Sequence, residues 1–217
     1  MTLERLIAQF RRLSGDNVEP YFFDDELLTE FANQAETEAA IRAKLLYDNT
    51  DIDLTAGDAV YSLSSEVFSV VRAILIDSDN KKTTLEIIDR QSLDHKNPIW
   101  QEAADAKPKY VVVDESSIEL SPAPDVDYTL KISYHRTPLV AMALVSDEPE
   151  INARHHDGLV YWMLFQALQA NDYDSMNLNI SADSEQKFIK RFGIRPDANV
   201  MRKQARRGNH SIKPIRF

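Results

Sequence analysis

Tyr128-Thr129-Leu130-Lys131-Ile132-Ser133-Tyr134-His135-Arg136 decides the class of fold. Tyr128, Leu130, Ile132 and Tyr134 alternate with Thr129, Lys131, Ser133 and His135, the period of two of a strand buried on one face. Similar signals run back to Ile52. Tyr61 and Leu63 alternate with polar residues. Val67 to Ile76 reads as one long strand with a bend, and Leu85 and Ile87 follow an Asp79-Asn80-Lys81 turn as its hairpin partner. Tyr110-Val111-Val112-Val113 and Ile118-Glu119-Leu120 flank a second tight turn at Asp114 to Ser117. Five or six short strands at this spacing predict a small antiparallel sandwich or barrel.

Both flanks carry the helical period. Leu3, Leu6, Ile7, Phe10 and Leu13 lay one apolar stripe on a first helix, with Thr2 placed to cap it and Gly15 to end it. Asp24 is placed to cap a second helix, which is expected to run to about Tyr47. Its face of Ala32, Ala35, Ala39 and Ala43 lets another helix approach closely, within a subunit or between subunits. Glu30, Glu36 and Glu38 are assigned to a solvated face of that helix. Residues 138–151 read as a loop whose apolar stretch, Leu139 to Val145, packs on its own body or on a neighbouring copy. A third helix, about Ala153 to Ala170, is apolar nearly all round and so the most buried. A fourth spans about Ser181 to Phe192, and Asn199 to Arg207 allows a further basic helix. The prediction is an α+β chain: about four helices in a bundle, an inserted antiparallel β-sandwich or barrel, and an extended C-terminal tail.

Hydrophobic residues make up 43% and charged residues 28% of the 217, ordinary for a globular protein. No apolar run approaches the roughly 20 residues of a membrane span. Met1-Thr2-Leu3-Glu4-Arg5 lacks the opening of a signal peptide, and cysteine is absent, so synthesis in a cytoplasm is expected. The net charge of −10 is unevenly spread. Residues 186–217 hold ten basic residues against the single acid Asp197, a net of +9 that leaves −19 on the remainder. The tail ends Ser211-Ile212-Lys213-Pro214-Ile215-Arg216-Phe217, which cannot bury itself and is expected to be mobile in a free subunit.

Catalytic patterns are missing. Five glycines provide no phosphate-binding loop, and no serine sits in a Gly-x-Ser-x-Gly elbow. His155-His156-Asp157 is the only cluster of metal-ligand residue types, but adjacent histidines on a helix face different sides. Trp100 and Trp162 are assigned to cores. No catalytic residue, metal or cofactor is expected.

In order along the chain, Asp24-Asp25-Glu26-Leu27-Leu28, Asn33-Gln34-Ala35, Gly57-Asp58-Ala59-Val60-Tyr61-Ser62-Leu63, Pro98-Ile99-Trp100, Pro108-Lys109-Tyr110, Pro122-Ala123-Pro124-Asp125, Arg136-Thr137-Pro138, Leu159-Val160-Tyr161-Trp162 and Phe192-Gly193-Ile194-Arg195 form a pattern. It resembles the head-to-tail connector (adaptor) proteins of tailed bacteriophages, including the tail tubular protein A group. The match is weakest after Arg195. The resemblance implies a helical domain of residues 1–50 and 138–200, an inserted β domain of residues 51–137, and a basic docking arm of residues 201–217. It further implies a structural virion protein of the neck, made in the host cytoplasm. About a dozen copies would form a ring under the portal protein. The ring would extend the DNA channel, without sequence-specific binding to the DNA that passes, and offer a platform to a downstream tail, stopper or nozzle protein. An arm of this kind would dock on the portal through Arg202, Lys203, Arg206, Arg207, Ile212, Lys213, Ile215, Arg216 and Phe217.

Two other readings compete. A nucleic-acid-binding module using the basic tail predicts steeply salt-dependent DNA binding. An enzyme using strand-loop carboxylates such as Asp89, Asp94 and Asp114 predicts that they converge in a pocket.

Overall fold

The structure is a computed structural model that describes residues 1–169 and 178–196. The chain divides into a helical unit, Met1–Leu46 with Thr137–Arg195, and a β unit built from Tyr47–Arg136.

The helical unit contains α1 (Leu3–Ser14), α2 (Asp25–Ala43), α4 (His156–Ala167) and α5 (Leu178–Phe192), with α4 packed against the other three. Leu159, Val160, Trp162, Met163 and Leu164 are all buried, so α4 is the core helix its composition predicted. α1 faces it with Leu3, Leu6, Ile7 and Phe10, while Leu13 at the far end is exposed. Gly158 brings α5 close: a Cβ there would lie 2.7 Å from both the Arg191 Cδ and the Phe192 ring. α5 begins at Leu178, before the expected start at Ser181. Ser181 and Ser184 are therefore inside the helix and buried, and the Ser181 hydroxyl donates to the Phe165 carbonyl at 3.0 Å.

Local signals set several helix ends. Asp24 accepts from the Leu27 amide at 2.7 Å as the cap of α2. Gly15 takes the left-handed conformation (φ 84°) that stops α1. Two ends depart from expectation. Thr2 makes no side-chain cap bond, because the carbonyls of Asp147 and Val145 accept the Leu3 and Glu4 amides at 2.8 and 3.0 Å. α2 stops at Ala43, not Tyr47, because Lys44 turns left-handed (φ 51°) and Tyr47 already pairs with His135.

The β unit is one curled sheet of seven strands, a half-barrel. Its strands are β1 (Tyr47–Leu54), β2 (Val60–Ser62), β3 (Val67–Ile76), β4 (Lys82–Ile87), β5 (Tyr110–Val113), β6 (Ser117–Ser121) and β7 (Tyr128–Arg136), in the order β1-β7-β3-β4-β5-β6-β2. The expected bend in β3 is present as register shifts between Val67 and Ser69 and between Val70 and Arg72. Leu75, Leu85, Val111, Ile118, Leu120, Leu130 and Ile132 belong to its main core. β1 starts at Tyr47, ahead of the expected Ile52: Asp48, Asn49, Thr50 and Asp51 disguise a strand that pairs along its whole length with β7. Those polar side chains also break the alternation at the end of β7. Ser133 donates to the Asn49 side-chain oxygen at 2.6 Å, and Arg136 donates to Asp48 at 3.2 Å. Both β7 residues are buried.

The sheet is not wholly antiparallel: β4 and β5 run parallel, joined by residues 88–109, a connection long enough for a crossover. It contains α3 (Arg90–Lys96), which the strand reading missed. Its signal was the cap: Asp89 accepts from the Ser92 amide at 3.1 Å and the Ser92 hydroxyl at 2.6 Å. Leu93, Trp100 and Ile88 then cover Val112, so β5 is buried on both faces.

Candidate functional site

The carboxylates that an enzyme would need serve local structure. Asp89 caps α3, Asp94 accepts from the Trp100 indole N–H at 2.8 Å, and Asp114 pairs with Arg90 at 2.6 Å. Among the described residues, no group of three or more His, Asp or Glu side chains could hold a metal ion. His156 is buried. Its Nε2 donates to the Ile151 carbonyl at 2.8 Å, which leaves Nδ1 to accept from the Met1 amino group at 2.8 Å. His155 faces elsewhere, with its ring against Phe192. Burial, then the nearby Arg154 and Arg191 charges and His156, push its pKa below the ordinary histidine value.

The surfaces of the helical unit carry more information. The stretch after β7 is a constructed loop. The Asn33 side chain clamps Met142, accepting from its amide at 2.8 Å and donating to its carbonyl at 3.0 Å. The Asp147 carboxylate accepts from the Ala143 and Leu144 amides at 2.9 and 2.8 Å, and these bonds hold its pKa below the ordinary value. Glu150 accepts from the Leu139 amide at 3.0 Å. Within Leu139 to Val145 only Met142 turns inward. Leu139, Val140, Leu144 and Val145 are 58%, 78%, 65% and 61% exposed on a backbone held at many points.

Glu36 overturns its assignment to a solvated face. It is 1% exposed and accepts from the Ile151 amide at 3.2 Å, where the loop rejoins the core. Burial pushes its carboxyl above the ordinary range. The Ile151 and Glu150 amides pull it back in part, and the Glu150 charge adds to the rise. With its folded pKa raised, this group stabilises the fold most below about pH 4.5, the ordinary value, and that contribution is lost as pH rises through the folded pKa. Glu36→Gln keeps an acceptor and removes the charge. The thermal midpoint of the wild type is therefore expected to fall relative to the variant as pH increases from 4.5 to 7. Glu36→Ala is expected to cost about 1–3 kcal/mol at pH 7, because the Ile151 amide loses its partner. Thermal scans of the three proteins across pH decide it; parallel curves for wild type and Glu36→Gln would refute the buried charge.

Ala32, Ala35 and Ala39 are fully buried in the helical core, as is Ala40, whereas Ala43 is exposed at the end of α2. On the other side of α2, an open groove of about 550 Å³ lies between α2 and α4, bordered by Glu26, Glu30 and Glu38 and floored by Trp162 and Gln166. Glu38 was also assigned to the solvated face, but its side chain is only 12% exposed. It accepts from Arg42 at 2.9 Å and Arg195 at 2.5 Å. The Arg42 guanidinium lies 4.6 Å from the Trp162 ring centroid and 5.2 Å from that of Phe188. The tail residues Arg202, Lys203, Arg206, Arg207, Ile212, Lys213, Ile215, Arg216 and Phe217 lie outside the described residues.

A family model described as "SU10 adaptor protein" matches residues 1–212. No curated protein matches the chain. A solved structure titled "Neck of empty GTA particle computed with C6 symmetry" is similar at 16% identity, covering 83% of this chain and 87% of that one, with a TM-score of 0.25.

Proposed function

The chain belongs to the SU10 adaptor protein family, structural adaptors of the virion neck, and on that premise we propose that it forms a closed ring under the portal vertex. The carrying observation is the extent of the family match. It runs to residue 212 and so takes in most of the basic tail along with both folded units. In this reading the ring extends the DNA channel and presents a platform to the next tail component. The net −19 outside residues 186–217 suits a channel that repels phosphate, so the genome slides without adhering.

Ring contacts are supplied in part by the exposed loop side chains Leu139, Val140, Leu144 and Val145. Loop backbone held by Asn33, Asp147 and Glu150 presents them with little entropy left to lose on association. A head-to-tail contact of this kind closes into a ring when the rotation permits.

The basic arm, residues 201–217, docks on the portal with Ile212, Ile215 and Phe217 as apolar anchors and Arg206, Arg207, Lys213 and Arg216 as charge partners. Ordering on contact would couple ring formation to the presence of the portal. Deleting residues 208–217 is expected to leave the thermal midpoint within about 2 °C of wild type, since the described core residues of both units end at Phe192. Portal binding is expected to weaken by at least about tenfold, from the loss of three apolar and two charged side chains. Co-sedimentation with portal rings measures this, and unchanged binding would remove the docking role of the arm.

The competing nucleic-acid reading has the same basic tail in its favour and predicts DNA binding by the free chain. A salt titration of binding to a DNA duplex separates the two, because the adaptor reading expects no tight complex at 0.2 M salt.

A further inference from the structure

The groove between α2 and α4 contains two unmet hydrogen-bonding groups. The Trp162 Nε1–H and the Gln166 Oε1 are buried and have no partner among the described residues. Trp162 is only 9% exposed. Buried polar atoms are almost always paired, so an orphaned pair marks a place where something is received. One is a donor and the other an acceptor, and they stand one helical turn apart on α4. A peptide group offers the matching carbonyl and amide; a simple ion offers only one of the two.

The border of the groove specifies charge. Glu26, Glu30 and Glu38 line its α2 side, and Glu38 already holds two cations, Arg42 of the same helix at 2.9 Å and Arg195 at 2.5 Å. Arg195 is also where the chain leaves the helical unit. The next residues include Arg202, Lys203, Arg206 and Arg207, with Asp197 the only acid among residues 186–217. Reach is sufficient. Glu30 and Glu26 lie eight and twelve residues before Glu38 on α2, about 12 and 18 Å along the helix. Seven residues of extended chain from Arg195 to Arg202 span up to about 23 Å.

From these observations we infer that the α2–α4 groove is an intramolecular dock for the chain's own basic segment, residues 197–207, in the free subunit. Arg195 is the first anchor. The arginines and lysine that follow lie along Glu30 and Glu26, and the backbone supplies partners to Trp162 and Gln166. The dock concerns the free chain and does not rest on portal binding. If the arm also serves the portal, leaving the groove is the step that frees it.

The test uses the full chain, which has no native cysteine to interfere. A Glu30→Cys and Lys203→Cys pair is treated with a short bis-maleimide, alongside a control pair of Arg5→Cys, on the exposed surface of α1, with Lys203→Cys. The expected result is an intramolecular cross-link in the groove pair at least about fivefold above the control, falling towards it at 1 M salt as the charges are screened. A second readout needs no variant in the groove. The Trp162 indole N–H resonance is expected to move between 0.05 and 0.5 M salt, while that of Trp100, bonded to Asp94, stays in place. Equal yields for the two pairs, cross-links only between chains, or a salt-insensitive Trp162 would each overturn the dock.

Discussion

Phe188→Ala is expected to lower the stability of the helical unit by about 3–5 kcal/mol. Phe188 is fully buried on α5, with ring centroids 4.9 Å from Trp162 and 4.6 Å from Phe192. Truncation removes most of a large side chain from a site whose neighbours cannot collapse freely. Trp162 is held beneath Arg42, and α5 lies so close to Gly158 that a Cβ there would be 2.7 Å from the Phe192 ring. The cost therefore combines lost burial with a residual cavity. The two tryptophans fall one in each unit, Trp162 in the helical unit and Trp100 in the β unit, so urea unfolding followed by fluorescence in single-tryptophan backgrounds reports each separately. The expected outcome is a large fall in the Trp162 midpoint with a small change at Trp100. A loss below about 1 kcal/mol would contradict the packing of α5 described above.

Val140→Asp combined with Leu144→Asp is expected to abolish ring assembly while leaving the subunit folded. Both side chains are mostly exposed, at 78% and 65%, so the substitutions cost the free subunit little. The loop keeps its shape because it is held through backbone amides, including that of Leu144 itself on Asp147, and not through these side chains. Packed against a neighbouring copy, however, each aspartate would be a charge taken from water without a partner, at several kcal/mol per contact. In the proposed ring the penalty would recur at every interface, so assembly would fail cooperatively. Mass measurement of the variant with portal rings is decisive. Rings formed at wild-type yield would show that this loop faces solvent or a different partner, whereas Val140→Ala should only weaken assembly.

The interactions legible in the sequence were those a residue makes with near neighbours. Asp24 caps α2 because its carboxylate reaches an amide three residues on. Asn80, left-handed at φ 59°, makes the turn between β3 and β4 with the Asp77 carbonyl accepting its amide at 2.9 Å. The apolar wrap of α4 announces a core helix in any context. The family pattern was legible for a related reason, as an ordered series of such local signals over most of the chain.

The misjudged features depend on residues far away in sequence. Thr2 needs no capping role because loop carbonyls at residues 145 and 147 take the amides of α1. Glu36 looks like a surface glutamate until the Ile151 amide, more than a hundred residues on, gives its carboxylate a buried partner. The polar β1 is a strand because β7 pairs with all of it, and α3 exists within a crossover that strand periodicity does not record.

By itself, then, the sequence determined the start of α2, the stop of α1, the β3–β4 turn, the identity of the most buried helix, the adaptor family and the separation of an acidic body from a basic tail. All of these follow from chemistry within a few residues or from composition. Only the tertiary structure decided that the strands form one curled sheet with a parallel pair, that Leu139, Val140, Leu144 and Val145 point outward, and that the Trp162 Nε1 and Gln166 Oε1 atoms have no partner among the described residues beside three glutamates. Exposure and hydrogen-bond satisfaction are sums over every neighbour in space, and a linear pattern contains no term for a partner a hundred residues away.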